Sequence, residues 1–120
     1  INSYQETMRT KRALVDDIFG FKYQLANNPS NNILDIYSNG LVRALNRITI
    51  VFNKDEKVLR ACDELFSTLQ IANEREREIK SNEAIITLLK ELCKASHIKC
   101  KNWNDSRFNR TFGTGKMIRQ

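Results

Sequence analysis

At 120 residues, 41% of them hydrophobic, the chain is long enough for one domain with a substantial core. A single proline, four glycines and many Leu, Ile, Lys and Glu residues favour helices joined by short connections. We find no secretory leader and no apolar run near the ~20 residues that cross a bilayer, so we expect a chain without a membrane span.

The net charge of +6 is a property of the C-terminal tail. Residues 1–98 carry fourteen basic and thirteen acidic side chains, whereas residues 99–120 carry six basic side chains and one acidic one. The part of the chain with helical periodicity is therefore nearly neutral. The charge does not by itself indicate nucleic-acid binding by that part.

The number of cysteines predicts the redox state of the compartment in which the protein resides. The three cysteines are an odd number in a chain with enough apolar residues to fold without disulfides, which indicates a reducing compartment. We predict a cytoplasmic protein, or the cytoplasmic part of a membrane-anchored protein.

The first predicted helix covers residues 3–26. Ser3 and Glu6 fit a capping box, and Gly20 inside the helix indicates either a close packing contact or a slight bend. Segment 27–32, NNPSNN, ends the helix because Pro29 disfavours helix at the preceding residue. The apolar face of this helix contains Tyr4, Met8, Val15, Ile18, Phe19 and Leu25.

The second predicted helix covers residues 33–52. Asn39-Gly40 interrupts it, because glycine accepts the left-handed conformation of a helix C-cap, and both one continuous helix and two short helices fit the pattern. Three apolar residues lie off the main stripe, and they either widen the core or form a contact face: Leu34, Val42 and Ile50.

Two more helices follow. Asn53 and Glu56 fit another capping box, which predicts a helix over 53–71, and we expect residues 41–69 to form the helical hairpin that organises the fold. The charged run 73–80 is either a loop or the start of a fourth helix over 81–98. Its inner face contains Ile85, Ile86, Leu89, Leu92 and Cys93.

One apolar stripe on each of about four helices predicts an all-α fold. We expect an antiparallel up-and-down bundle over residues 1–98. A basic, partly irregular tail over residues 99–120 then packs on the bundle or extends from it.

A weak metal-site candidate consists of Cys93, His97 and Cys100. On a continuous helix their spacing would place two thiols and an imidazole on one face, which suits zinc. Structural zinc sites need four ligands and no fourth is evident, so we predict no metal and no other cofactor.

The tail interleaves aromatic and basic residues. Basic groups neutralise phosphates and aromatic rings stack on bases, so this mixture suits a single-stranded nucleic acid. Alternatively, the rings cap the bundle while the charges stay in water. The candidate nucleic-acid-binding residues are Lys99, Lys101, Trp103, Arg107, Phe108, Arg110, Phe112, Lys116 and Arg119.

The pattern Ala44-Leu45-Asn46-Arg47-Ile48, then Phe52, then Lys57-Val58 resembles an uncharacterised bacterial and phage domain family of unknown function. Members share an ALN-x-I-x-x-x-F helix, and a later Leu-Leu helix is matched here by residues 86–92. The resemblance covers residues 10–98 and implies a helical fold without a known activity. Members often begin with a membrane anchor ahead of a basic helix, to which residues 9–12 are similar, so the resemblance implies that an anchor has been removed from this chain or is absent.

No polar constellation converges on a pocket, and a single histidine leaves little for acid-base catalysis. We therefore expect a non-enzymatic helical interaction module of a bacterial or phage protein. It acts through a protein partner or by self-association; the alternative is a nucleic-acid-binding module that uses the tail.

Overall fold

A computed structural model of the chain describes residues 2–28, 30 and 32–98, with the backbone alone for residues 2–4. Five α-helices account for most of these residues: α1 (Asn2–Asn27), α2 (Ile33–Ile36), α3 (Val42–Val51), α4 (Glu56–Leu69) and α5 (Glu74–Ala95). A kinked connection, Tyr37–Leu41, joins α2 to α3. The predicted all-α bundle is confirmed. Within the described residues, no helix is both long enough and apolar enough to cross a membrane.

Helix starts are set by side-chain caps. Asn32 accepts a hydrogen bond from the Asp35 backbone N–H at 3.0 Å, and Asn73 accepts one from the Glu76 N–H at 2.8 Å. The cap of α4 is Asp55, which accepts from the Val58 N–H at 3.1 Å. The predicted cap at Asn53 is therefore wrong.

Segment 33–51 consists of two helices that meet at a kink, the second of the two alternatives that the sequence allows. Gly40 interrupts it with φ 150° and ψ −28°, a conformation that residues with a side chain rarely adopt. A Cβ atom at this position would lie 3.1 Å from Cζ of Phe21, so there is also little room for a side chain. By contrast, a Cβ atom at Gly20 would meet no other described part of the chain within 4 Å, so the close packing contact considered for Gly20 is wrong.

The helices pack antiparallel around one core. Helix α4 packs along α5, whereas α3 and α4 make few contacts, so the partner of α4 is α5 rather than the α3 arm of the predicted hairpin. Helix α1 runs antiparallel to α3, because Lys11 lies over the Phe52 ring while Phe21 lies beside Gly40. Core side chains with no exposed surface include Leu14, Ile18, Ile33, Leu41, Leu45, Ile48, Val58, Cys62, Leu65, Ile85, Leu88, Leu89 and Leu92.

Two boundaries of the last helix differ from expectation. The charged run, for which the sequence allows either a loop or a helix, belongs to α5, which begins at Glu74. The same helix ends at Ala95 instead of continuing to Ile98. The predicted tail, residues 99–120, lies outside the described residues, and the domain division at residue 98 stays a prediction.

Candidate interaction surface and buried polar cluster

The outer face of α3 consists of Arg43, Asn46, Arg47 and Ile50. These positions are three or four residues apart, so their side chains share one side of the helix. All four are exposed, and Ile50 keeps 71% of its surface accessible. An apolar side chain therefore lies among cations and an amide on the water-facing side of this helix.

The charge of this face is uncompensated. Helix α3 has the sequence VRALNRITIV and contains no acidic residue. Within the part of the chain that the structure describes, neither Arg43 nor Arg47 takes part in an ion pair. Both guanidinium groups are thus available to an external anion.

The apolar residues off the main stripe have clear places in the fold. Leu34 is 38% exposed and Ile50 is 71% exposed, so neither widens the core. Val42 is half-buried. The alternative assignment, a contact face, stays a prediction for Leu34 and Ile50.

A second group of polar side chains, which we call the buried polar cluster, contains Lys22, Glu78, Ser81 and Asn82. The Lys22 side chain is only 4% exposed, and its amine donates a hydrogen bond to Oδ1 of Asn82 on α5. Asn82 Nδ2 in turn donates to the Glu78 carbonyl oxygen at 2.8 Å. The cluster therefore links α1 to α5 through a chain of hydrogen bonds.

Glu78 extends the cluster to α2. Both of its carboxylate oxygens lie 3.1 Å from the backbone N of Ile33, which donates to them. Ile33 is the first residue of α2, where the N–H has no partner within its own helix. A carboxylate also interacts favourably with the positive end of the helix dipole. Glu78 therefore caps α2 from another helix.

The chemistry open to Lys22 is limited by its burial. Desolvation lowers the pKa of its amine from 10.5 to about 8. A lysine with a lowered pKa is a candidate nucleophile, but a nucleophile needs access to its substrate. Lys22 is enclosed and hydrogen-bonded, so the cluster serves to hold the helices in register.

Sequence reasoning did not single out Lys22, although a signal was present. Lys22 falls on the apolar stripe of α1, four residues after Ile18 and three before Leu25. A lysine on a buried stripe must satisfy its amine within the protein. Its partner on α5 is 60 residues away along the chain, and no local pattern points to it.

One family model matches residues 35–105; it describes a family of unknown function, DUF6680. The chain belongs to the DUF6680 family. The match begins in α2 and includes α3, α4 and α5, so it contains the outer face of α3 and Glu78 but not Lys22. No curated protein and no solved structure matches the chain significantly. The predicted membership of an uncharacterised family is confirmed, while bacterial or phage origin and the ALN-x-I-x-x-x-F motif stay predictions.

In this DUF6680 chain the weak metal candidates do not share a helix face. Helix α5 ends before His97, which has φ 57° and lies in the left-handed conformation that follows a helix. The Ile98 N–H donates to the Cys93 carbonyl at 3.0 Å and the His97 N–H to the Lys94 carbonyl at 3.3 Å. This is the Schellman arrangement. Because His97 turns the chain, the geometry expected from a continuous helix is wrong, and Cys100 lies outside the described residues.

Of the two cysteines in the described residues, Cys62 matches the expected reduced thiol and Cys93 does not. Cys62 is free and buried, and its pKa is raised to about 12 by desolvation and then by the neighbouring Asp63 charge, which makes it an unreactive thiol. Cys93 is disulfide-bonded, so the structure does not support a reduced thiol at that position. Within the described range, no group of three or more His, Cys, Asp or Glu residues is placed to hold a metal ion.

The nucleic-acid candidates of the DUF6680 chain, from Lys99 to Arg119, all lie outside the described residues. The bundle itself brings other cations to the end where the tail begins. The Lys11 amine lies 5.3 Å from the centre of the Phe52 ring, and Lys11 and Lys54 line one shallow depression. Lys57 and Glu91 line another between α4 and α5. The C-terminal half of α5 therefore lies beside the first turns of α4.

Proposed function

We propose that this chain is a non-enzymatic helical interaction module of a bacterial or phage protein, acting through a protein partner or by self-association. The observation that carries the proposal is Ile50, an apolar side chain 71% exposed beside two arginines that form no ion pair in the described residues. Arginine is enriched at protein interfaces, where it commonly borders an apolar contact.

The groups with shifted pKa values support the same proposal. Perturbed ionisable groups are candidates for catalysis when they line an accessible cleft. Lys22 and Cys62 are both buried, so neither offers its ionisable group to solvent. The accessible surface of α3 carries instead the residue types that protein interfaces favour, an arginine pair beside an apolar side chain.

The test compares Ile50→Asp with a matched control, Ile79→Asp, which changes an apolar residue that is 50% exposed on α5. Sedimentation velocity measures self-association, and crosslinking followed by mass spectrometry identifies bound proteins. We expect Ile50→Asp to abolish the association of the wild-type chain and Ile79→Asp to preserve it. A monomeric wild-type chain that crosslinks to no protein would refute the proposal.

A second candidate function is nucleic-acid binding. The observation in its favour is the position of Lys11, Lys54 and Lys57 at the bundle end from which the basic tail continues. Such a surface would bind phosphates in a salt-dependent way. Fluorescence anisotropy of labelled oligonucleotides with the full chain and with a chain ending at Ile98 tests it. Binding that persists at physiological salt and needs the tail would support this candidate.

A further inference from the structure

We propose that the outer face of α3 docks an acidic amphipathic helix of a protein partner. The inference rests on the proposed function and names the chemistry of the partner. The face presents Arg43 and Arg47 one helical turn apart, with Ile50 one turn beyond Arg47. A complementary helix presents carboxylates at matching spacing around one apolar residue.

Charge complementarity selects an acidic partner. Helix α3 carries no carboxylate of its own, and neither arginine has an ion-pair partner within the described residues. Arginine binds carboxylates through two parallel hydrogen bonds, which fixes orientation as well as attraction. The carboxylates of an acidic helix would therefore accept charge-assisted hydrogen bonds from both guanidinium groups.

The apolar contact selects a protein helix over a bare anion. Ile50 offers more than half of its surface to solvent, and covering it removes apolar surface from water. A phosphate strand would leave this side chain uncovered. Helix α3 also contains no aromatic ring on which a base could stack.

A second copy of the same face is a poor occupant. A two-fold symmetric contact at Ile50 would set the cationic face of one copy against the same cationic face of the other. Like charges repel, and no acidic residue of α3 would compensate them. The partner is thus a different sequence, one with the opposite charge.

The test measures fluorescence anisotropy of labelled probes with the full chain. One probe is an amphipathic helical peptide with glutamates on both sides of a leucine stripe. The second is the same peptide with lysines in place of the glutamates, and the third is a single-stranded oligonucleotide. The variants are Arg43→Glu with Arg47→Glu, and Ile50→Asp, with Arg75→Glu as a control at an exposed arginine of α5.

We expect the acidic peptide to bind the wild-type chain and the Arg75→Glu control equally. The double charge reversal and Ile50→Asp should each weaken binding by about tenfold or more, since tenfold corresponds to about 1.4 kcal/mol. The double reversal should also gain affinity for the lysine peptide, a rescue that loss of folding cannot produce. All these positions are exposed, and thermal unfolding by circular dichroism confirms that the variants fold.

Three results would overturn the inference: equal binding of both peptides, tighter binding of the oligonucleotide with loss in the same variants, or dimerisation through Ile50. If a protein partner or a dimer forms equally well with every α3 variant, the outer face of α3 is not the binding surface. The proposal of an interaction module would still hold. A chain that binds neither peptide, crosslinks to no protein and stays monomeric would refute both.

Discussion

The first half of α5, residues 74–82, contacts its neighbours through polar side chains, whereas the second half, residues 84–93, contacts them through apolar ones. In the second half Ile85, Leu88, Leu89 and Leu92 have no exposed surface. In the first half Glu78 and Asn82 bind α2 and α1 by hydrogen bonds. Apolar burial supplies stability without direction, whereas hydrogen bonds need particular atoms at particular distances.

The difference between the two halves of α5 affects the position of the outer face of α3. Segment 33–51 carries the outer face of α3, and its first N–H is held by Glu78. The polar half of α5 thus sets where this segment begins, while the apolar half supplies most of the buried residues of α5. Substitutions in the two halves should therefore have different effects.

The largest effect is expected in the apolar half. Leu89→Ala removes a side chain with no exposed surface and should lower the free energy of unfolding by about 2–5 kcal/mol, because a cavity adds to the lost burial. Urea denaturation measures this loss. Thr87→Ala, an exposed neighbour on the same helix, is the control and should change stability by less than about 0.5 kcal/mol. Equal losses at both positions would contradict the assignment of the core.

The next effect concerns the amine of Lys22. Asn82→Leu removes its acceptor and should cost about 1–3 kcal/mol, because a buried donor is left without a partner. Adding Lys22→Met removes the amine as well and should recover most of the loss. A double-mutant cycle from urea denaturation checks this. Strictly additive losses would show that the two side chains are not coupled.

The pH dependence of stability follows from the same amine. The folded-state pKa of Lys22 is about 8, below its ordinary 10.5, so the unfolded chain binds this proton more tightly. Stability should therefore rise as pH increases above 8, by about 1 kcal/mol at pH 9. Urea denaturation from pH 7 to 9 measures the rise, and Lys22→Met should remove it.

Above pH 9 a second group opposes this rise. The pKa of Cys62 is raised from 9.0 to about 12, so the folded chain keeps a proton that the unfolded chain loses, and stability falls with pH. The difference between wild type and Lys22→Met isolates the lysine across the whole range. A wild-type curve that parallels the Lys22→Met curve between pH 7 and 9 would contradict the role assigned to Lys22.

A smaller effect is expected where α5 ends. His97 has φ 57°, which glycine adopts without strain, so His97→Gly should stabilise the chain by about 0.5–1 kcal/mol. The matched change, His97→Ala, should not stabilise it. Thermal unfolding of both variants provides the measurement. A loss of stability in His97→Gly would mean that the imidazole holds this end of the helix.

The burial of the apolar half of α5 can be predicted from the sequence, whereas the contacts of the polar half cannot. Leu89 and Leu92 repeat at helical spacing, and their predicted burial is confirmed. For residues 73–80 the sequence leaves two alternatives, because the partner of Glu78 is an N–H 45 residues away, which no local pattern reveals. Asn53 and Asp55 both suit a helix cap, and only the extended conformation and hydrogen bond of Asp55 separate them.

The candidate surface is visible in part from the sequence. Ile50 lies off the apolar stripe of its helix, which leaves a contact face as one of two alternatives. The sequence cannot show whether Arg43 and Arg47 find acidic partners on other helices, because that depends on which helices meet. The hypotheses on the tail stay predictions, since residues 99–120 lie outside the described residues.

Amide hydrogen exchange of Glu78→Ala tests most directly whether the polar half of α5 positions segment 33–51. Removing the carboxylate leaves the Ile33 N–H without its acceptor, which should cost about 1–2 kcal/mol and speed exchange of the first α2 amides by about tenfold. Amides of residues 84–93 should keep their relative protection. Unchanged exchange at Ile33, or equal loss of protection along the whole of α5, would contradict this role of the polar half.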